Sequence, residues 1–161
     1  MATVILLCGL PASGKTTVAE QIERERSALR LSPDEWIAAL YGPDLQQRDP
    51  QTFHAARDRV EALQREVAAR ALSLGIDVIL ENGFWTRAER DEYRAWAQRV
   101  GALVELRYLD VPKEELWVRL ARRNASPKIG TFRVERHELD SWFSRFEPPT
   151  LSELALNDAA P

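Results

Sequence analysis

One junction constrains this chain more than any other feature. Thr3 to Cys8 is a short, β-branched apolar run that reads as a strand buried on both faces. It passes directly into Gly9-Leu10-Pro11-Ala12-Ser13-Gly14-Lys15-Thr16, and from Gly14 to about Glu25 the pattern becomes helical, with Val18, Ala19 and Ile22 inward. Strand, glycine-bracketed loop and helix in that order place unpaired helix-terminal N–H groups and a positive dipole end at the loop. Gly9 and Gly14 let the backbone aim its amides inward with no Cβ in the way. Lys15 adds a charge suited to β- and γ-phosphates, and Thr16 a hydroxyl suited to Mg²⁺. A binding loop for a nucleoside triphosphate with magnesium is therefore expected over Gly9, Pro11, Ala12, Ser13, Gly14, Lys15, Thr16 and Thr17. Such a loop does not specify the base, so ATP over GTP is an expectation only.

The 161 residues suffice for one domain and one core. Further along, Ala28 to Leu31 fits a second short strand. Ser32-Pro33-Asp34-Glu35 reads as a capping box opening a helix with Trp36, Ile37, Leu40 and Tyr41 inward, ended by Gly42-Pro43. Residues 42–51 read as a surface loop. A long helix is predicted from about Thr52 to Leu74, with an apolar line through Phe53, Ala56, Val60, Leu63, Val67, Ala71 and Leu74. Ile76 to Glu81 is another buried strand. Thr86-Arg87-Ala88-Glu89 is a second capping box, Ala102 to Leu109 a further strand, and Pro112 opens a helix to about Asn124. A loop with Pro127 and Gly130 leads to a one-sided helix through Leu139, Trp142, Phe143 and Phe146, cut off by Pro148-Pro149; the tail from Thr150 is weakly patterned. Alternating strands and helices predict an α/β, three-layer sandwich on a mostly parallel sheet, with ligands at the carboxyl ends of the strands.

Several residues fall at those ends, each with two readings. Asp34 suits the base that accepts a hydroxyl proton, and equally a first-turn acid favoured by the helix dipole. Glu81, closing Val78-Ile79-Leu80, suits a magnesium–water ligand or an ordinary polar strand end. Asn82, Phe84 and Trp85 follow, the aromatics suiting an acceptor pocket or the core. Arg87 in a first helical turn opposes the dipole and hints at an anion partner. Arg119, Arg122 and Arg123, with Lys128, Arg133 and Arg136, form the most basic stretch, fitting either charge neutralisation at a transferring phosphoryl group or a solvated face. His54 and His137 lack metal-site spacing. The single cysteine, Cys8, excludes an intrachain disulfide and reads as a buried small residue. No stretch is apolar enough to span a bilayer and the first residues carry no basic region, so cytoplasmic placement without a membrane partner is expected. A net charge of −3 argues against a broad nucleic-acid surface.

Together these motifs resemble the small P-loop kinases of the group containing polynucleotide 5′-hydroxyl kinases, chloramphenicol phosphotransferase and zeta toxins. The run Glu81 to Arg87 with Phe146-Glu147-Pro148-Pro149-Thr150 is similar to a bacterial subfamily of predicted ATP-binding kinases. The resemblance implies sheet order 2-3-1-4-5 in one domain over 1–161, with a lid at about 119–136. Residues 151–161 hold few β-formers, so a short or missing fifth strand is expected, with Glu147 to Leu154 as an alternative cover for the adenine region. It also implies transfer of the γ-phosphoryl group of ATP, with Mg²⁺, to a hydroxyl of a small molecule such as an antibiotic, nucleoside or sugar. Lys15, Asp34, Arg119 and Arg123 would be catalytic; Asp34, Glu81, Asn82, Trp85 and Arg87 would meet the acceptor; Thr16 and Glu81 would hold the metal; Arg119 and Arg122 would touch the nucleotide. A nucleic-acid 5′-hydroxyl is the alternative acceptor. A nucleotide-gated binding protein, or slow NTPase without acceptor, is the alternative function.

Overall fold

The computed structural model describes residues 1–126 and 133–156. Four strands, β1 (Thr3–Cys8), β2 (Leu29–Leu31), β3 (Val78–Gly83) and β4 (Leu103–Tyr108), form a sheet in the order β2-β3-β1-β4, with every pairing parallel. β1 is central, pairing Val4 with Val78 on one side and with Val104 on the other. Its all-apolar sequence is explained by two covered faces. Val4, Leu6 and Cys8 enter a core shared with Tyr93, Trp96 and Ala97, whereas Ile5 and Leu7 pack with Ala19 and Ile22. Helix α1 (Lys15–Arg26) thus lies on one face, and α4 (Pro50–Ser73) and α5 (Arg87–Arg99) on the other. α6 (Lys113–Ala125) and α7 (Arg136–Arg145) close around the phosphate loop, burying Leu10 with Leu116, Leu120, Val134 and Leu139.

Several expectations are corrected. The surface loop at 42–51 contains a short helix, α3 (Leu45–Arg48), because Leu45 is buried with Ile37 of α2 (Pro33–Tyr41) and with Ala56 and Val60. Ser32 makes no side-chain cap to α2. Its expected partner Glu35 is drawn instead to Arg30 at 2.8 and 3.0 Å. Leu40 and Tyr41 are exposed. In α4 the buried row runs at four-residue spacing through Ala56, Val60, Gln64, Ala68 and Leu72, leaving Leu63, Val67 and Leu74 exposed. α4 meets α2 near its start and the sheet near its end, and small alanines permit the second approach. The capping box at Thr86 is half formed. Thr86 accepts from the Glu89 N–H at 3.2 Å, but the Glu89 carboxylate takes the Trp85 N–H at 3.0 Å.

No fifth strand occurs among the described residues. The tail forms α8 (Leu151–Ala155), with a complete capping box between Thr150 and Glu153. Glu153 then enters the protein. It meets Arg90 of α5 at 2.8 Å, and both side chains are essentially inaccessible, at 1% and 0% exposure. Arg90 also donates to the carbonyls of Phe84 (3.0 Å) and Glu147 (2.9 Å), and Arg94 donates to the Glu153 carbonyl at 2.9 Å. Phe146, one residue past α7, stacks on Tyr108 at 5.9 Å. The tail is therefore held on α5 and the end of β4, where sequence patterning had shown little. Pro127, Lys128 and Gly130 of the expected lid lie outside the described residues.

Candidate active site

The carboxyl ends of β1 and β3 converge through a backbone bond from Gly9 N–H to Gly83 O at 2.9 Å. Two different constraints select the loop glycines. Gly14 is left-handed (φ 97°), as is Ala12 (φ 67°). A Cβ on Gly9, by contrast, would stand 2.7 Å from Ser13 Oγ, so Gly9 is set by packing inside the loop. Lys15 Nζ donates to the carbonyls of Gly9 (3.0 Å) and Leu10 (2.9 Å). Burial lowers its pKa to about 8, against the pull of Asp34 and Glu81. The side chain is thus a preorganised cation, held by neutral carbonyls and short of a negative partner.

Thr16 Oγ1 donates to Glu81 Oε2 at 3.1 Å, and Arg30 donates to Glu81 Oε1 at 2.7 Å. Burial raises the Glu81 pKa, and these two bonds oppose the rise. A hydroxyl beside a buried carboxylate is an oxygen pair suited to a hard divalent cation. Arg30 was not singled out in the sequence. It holds Glu81, Glu35 and Glu23 together, and although burial pulls its pKa down, the bonds to Glu81 and Glu35 carry it above the usual guanidinium value.

A cavity of about 750 Å³ joins this loop to the residues expected on the acceptor side, with Lys15, Thr16, Thr17, Asp34, Glu81, Asn82 and Trp85 on its walls together with Pro11, Ala12 and Gly14. Asp34 is largely exposed to it, at 75%, and accepts from Arg57 Nη1 at 2.8 Å. Arg57 is the main residue missed by sequence reasoning. From α4 it reaches Asp34, Glu61 (2.9 Å) and the Asn82 carbonyl (3.2 Å), tying three elements together. Burial alone would lower its pKa; Asp34 and Glu61 reverse that. The available signal was Glu61 four residues after Arg57, a helical ion pair on the polar side of α4. Trp142 and Arg145 of α7 complete the rim, Arg145 lying 5.6 Å over the Trp85 ring and the two tryptophans 6.3 Å apart.

The basic residues of α6 separate. Arg123 lines the cavity, its pKa lowered by burial against the attraction of Asp34. Arg119 lies against the loop, donating to the Ala12 carbonyl at 3.2 Å while paired with Glu115. Arg122 is exposed, away from the cavity wall. Arg133 and Arg136 pair with Glu135 and Glu114. Arg87 is also off the cavity wall. Its side chain turns to Asp91 (3.4 Å) and Glu153 (3.8 Å), so the anions that offset its dipole misfit are carboxylates of the chain itself. Phe84 is fully buried in the core at φ 48°, next to Gly83 at φ 92°. Cys8 is buried as expected; burial pushes its thiol up to about 12, and Sγ donates to the Phe84 carbonyl at 3.3 Å.

Among the described residues no helix is long and apolar enough to cross a membrane. Solved structures share the fold at low identity. A kinase candidate from Chloroflexus aurantiacus aligns with TM-score 0.73 and 18% identity over 92% of this chain and 78% of its own. A chain of the Pnkp1/Rnl/Hen1 RNA repair complex aligns at 0.71 and 20%, over 89% of this chain but only 43% of that longer one. A gluconokinase from Sinorhizobium meliloti aligns at 0.64 and 20%, over 91% and 76%. No curated protein matches the chain. The family described as an AAA domain matches residues 4–149, from the first strand to the end of the Phe146–Pro149 segment, and the chain belongs to that family.

Proposed function

We propose that the chain is an ATP-dependent phosphotransferase that moves the γ-phosphoryl group to a hydroxyl of a small molecule. The observation that carries this reading is the single cavity running from the phosphate loop to Asp34 and Trp85. A nucleotide-gated binding protein needs only the loop. A cleft with aromatic residues beside a carboxylate is what an acceptor needs. The kinases among the fold's relatives are consistent with it.

In this reading Lys15 and the loop amides hold the β- and γ-phosphates. Thr16 and Glu81 hold Mg²⁺ with water, which when bound neutralises phosphate charge. Asp34 orients the acceptor hydroxyl and takes its proton, and Arg57 fixes the carboxylate in place. Asn82 and Trp85 border the acceptor. Arg119 and Arg123, with Arg122 between them, belong to a lid over 119–136 that neutralises the transferring group and excludes water. Action in the cytoplasm belongs to the same reading. A nucleic-acid 5′ end, the alternative raised by the RNA-repair relative, is the less favoured acceptor.

The test is Mg·ATP consumption by the wild-type chain and by Lys15→Ala against a panel of hydroxyl compounds, with products identified by mass spectrometry. Stimulation by a panel member, phosphate found on that compound and loss of both in Lys15→Ala are expected. Slow hydrolysis indifferent to every compound would favour a nucleotide-gated binding protein.

A further inference from the structure

The acceptor end of the cavity carries an unbalanced charge. Asp34, Asp58, Glu61 and Glu89 line it with Arg57 among them. Arg57 is already committed, to Asp34 at 2.8 Å and to Glu61 at 2.9 Å, so its capacity for an anionic ligand is spent on the chain's own carboxylates. Glu89 accepts backbone N–H bonds from Trp85 and Thr86 and makes no ion pair among the described residues; neither does Asp58. Four carboxylates against the two guanidiniums of Arg57 and Arg145 leave this end of the cavity net negative. Burial raises the pKa of both Glu61 and Glu89; Glu89 and Asp58 add to the rise at Glu61 against Arg57, while at Glu89 the Trp85 and Thr86 N–H bonds, Arg57 and Arg90 oppose it. Such a pair is relieved by an arriving cation and aggravated by an arriving anion.

Aromatic residues beside these carboxylates reinforce the point. Phe53 and Trp85 line the same space, and Arg145 lies 5.6 Å over the Trp85 ring, so that ring is one that takes a cation. The cavity's remaining cations, Lys15 and Arg123, belong to the phosphate end in the proposed reading.

From this geometry we infer that the acceptor is a hydroxyl compound bearing protonated amines, whose ammonium groups dock between Glu61, Glu89 and Asp58 while a hydroxyl faces Asp34. The inference rests on the phosphotransferase reading and narrows its substrate class to amino sugars and aminocyclitols. Acidic sugars and nucleic-acid ends are thereby rejected through like-charge repulsion.

The test uses the full chain with Mg and a non-hydrolysable ATP analogue, titrated with kanamycin A, 2-deoxystreptamine and glucosamine. Their N-acetylated forms, gluconate and a 5′-hydroxyl oligonucleotide serve as comparisons. Binding is followed by calorimetry and by the change in intrinsic tryptophan fluorescence, to which Trp85 and Trp142 at the cavity contribute. At least one amine should bind about tenfold or more tightly than its N-acetylated form, as expected for charge-assisted bonds to carboxylates. That preference should shrink several-fold in Glu61→Gln and in the more exposed Asp58→Asn. Equal or tighter binding of the neutral or anionic probes, or no binding of any amine, overturns the inference. Binding of the ATP analogue is read in the same samples, so failure of the nucleotide site is distinguished from failure of the amine preference.

Discussion

At the scale of single residues, chemistry rests on groups whose charge is held ready by their surroundings. Lys15 is bound to two carbonyls and brought down to about 8 by burial. A triphosphate favours its protonated form, so affinity should be constant below pH 8 and weaken above it, by up to about tenfold per unit. Equilibrium titration of an ATP analogue from pH 6.5 to 9.5 checks this; a flat profile would show that Lys15 keeps its proton throughout. Asp34 is fixed by Arg57 rather than by its own helix. Asp34→Asn preserves the shape and removes the proposed base, so turnover should fall roughly 100-fold or more while ATP affinity changes little. A comparable loss in ATP affinity would recast Asp34 as a structural ion-pair partner.

At the scale of elements, two contacts set the site's frame. The first is the Gly83–Phe84 turn. Gly83 stands at φ 92°, and a Cβ there would lie 3.0 Å from Trp85 Nε1 and 3.3 Å from the Gly9 carbonyl. Gly83→Ala should therefore cost roughly 1–3 kcal/mol in urea denaturation and weaken ATP binding through the Gly9–Gly83 bond. The second is the buried Arg90–Glu153 pair, which fastens α8 to α5. Glu153→Ala leaves a buried guanidinium without its partner, at an expected cost of about 3–5 kcal/mol. The Arg90 bonds hold the Glu153 carboxyl down to about 2, well below its ordinary 4.5. Its contribution is complete above 4.5 and is lost as pH falls from there towards 2, so the wild type, but not Glu153→Ala, should show this acid-dependent loss in pH-resolved melts.

At the scale of the whole molecule, a central strand, a loop and a helix deliver phosphate-binding groups to one end of a parallel sheet, and α2, α4, α5 and α7 wall in the adjoining space. The first half of that design was legible in the sequence because it is local: Thr3 to Thr17 contains strand, loop and helix start without interruption, and Cys8 had to be buried. The second half was not. Arg57 and Arg30 act through partners far along the chain or on another element, and the α4 stripe differs at Leu63 and Val67 because two different neighbours share that helix. Glu153 looked like a weakly patterned tail residue, since nothing local announces a buried arginine 63 residues earlier. Arg87 shows the converse: its unfavourable position in the first turn was correctly noticed, but carboxylates of the chain answer it.

The central claim is that the loop and the cavity are two ends of one reaction path. The most direct measurement follows the γ-phosphoryl group of labelled ATP in wild type and in Asp34→Asn, with amine-bearing and neutral hydroxyl compounds present. The account predicts label on an organic hydroxyl in the wild type and its near disappearance in Asp34→Asn. Label released only as inorganic phosphate, at the same rate with or without any acceptor and unchanged in Asp34→Asn, would contradict it.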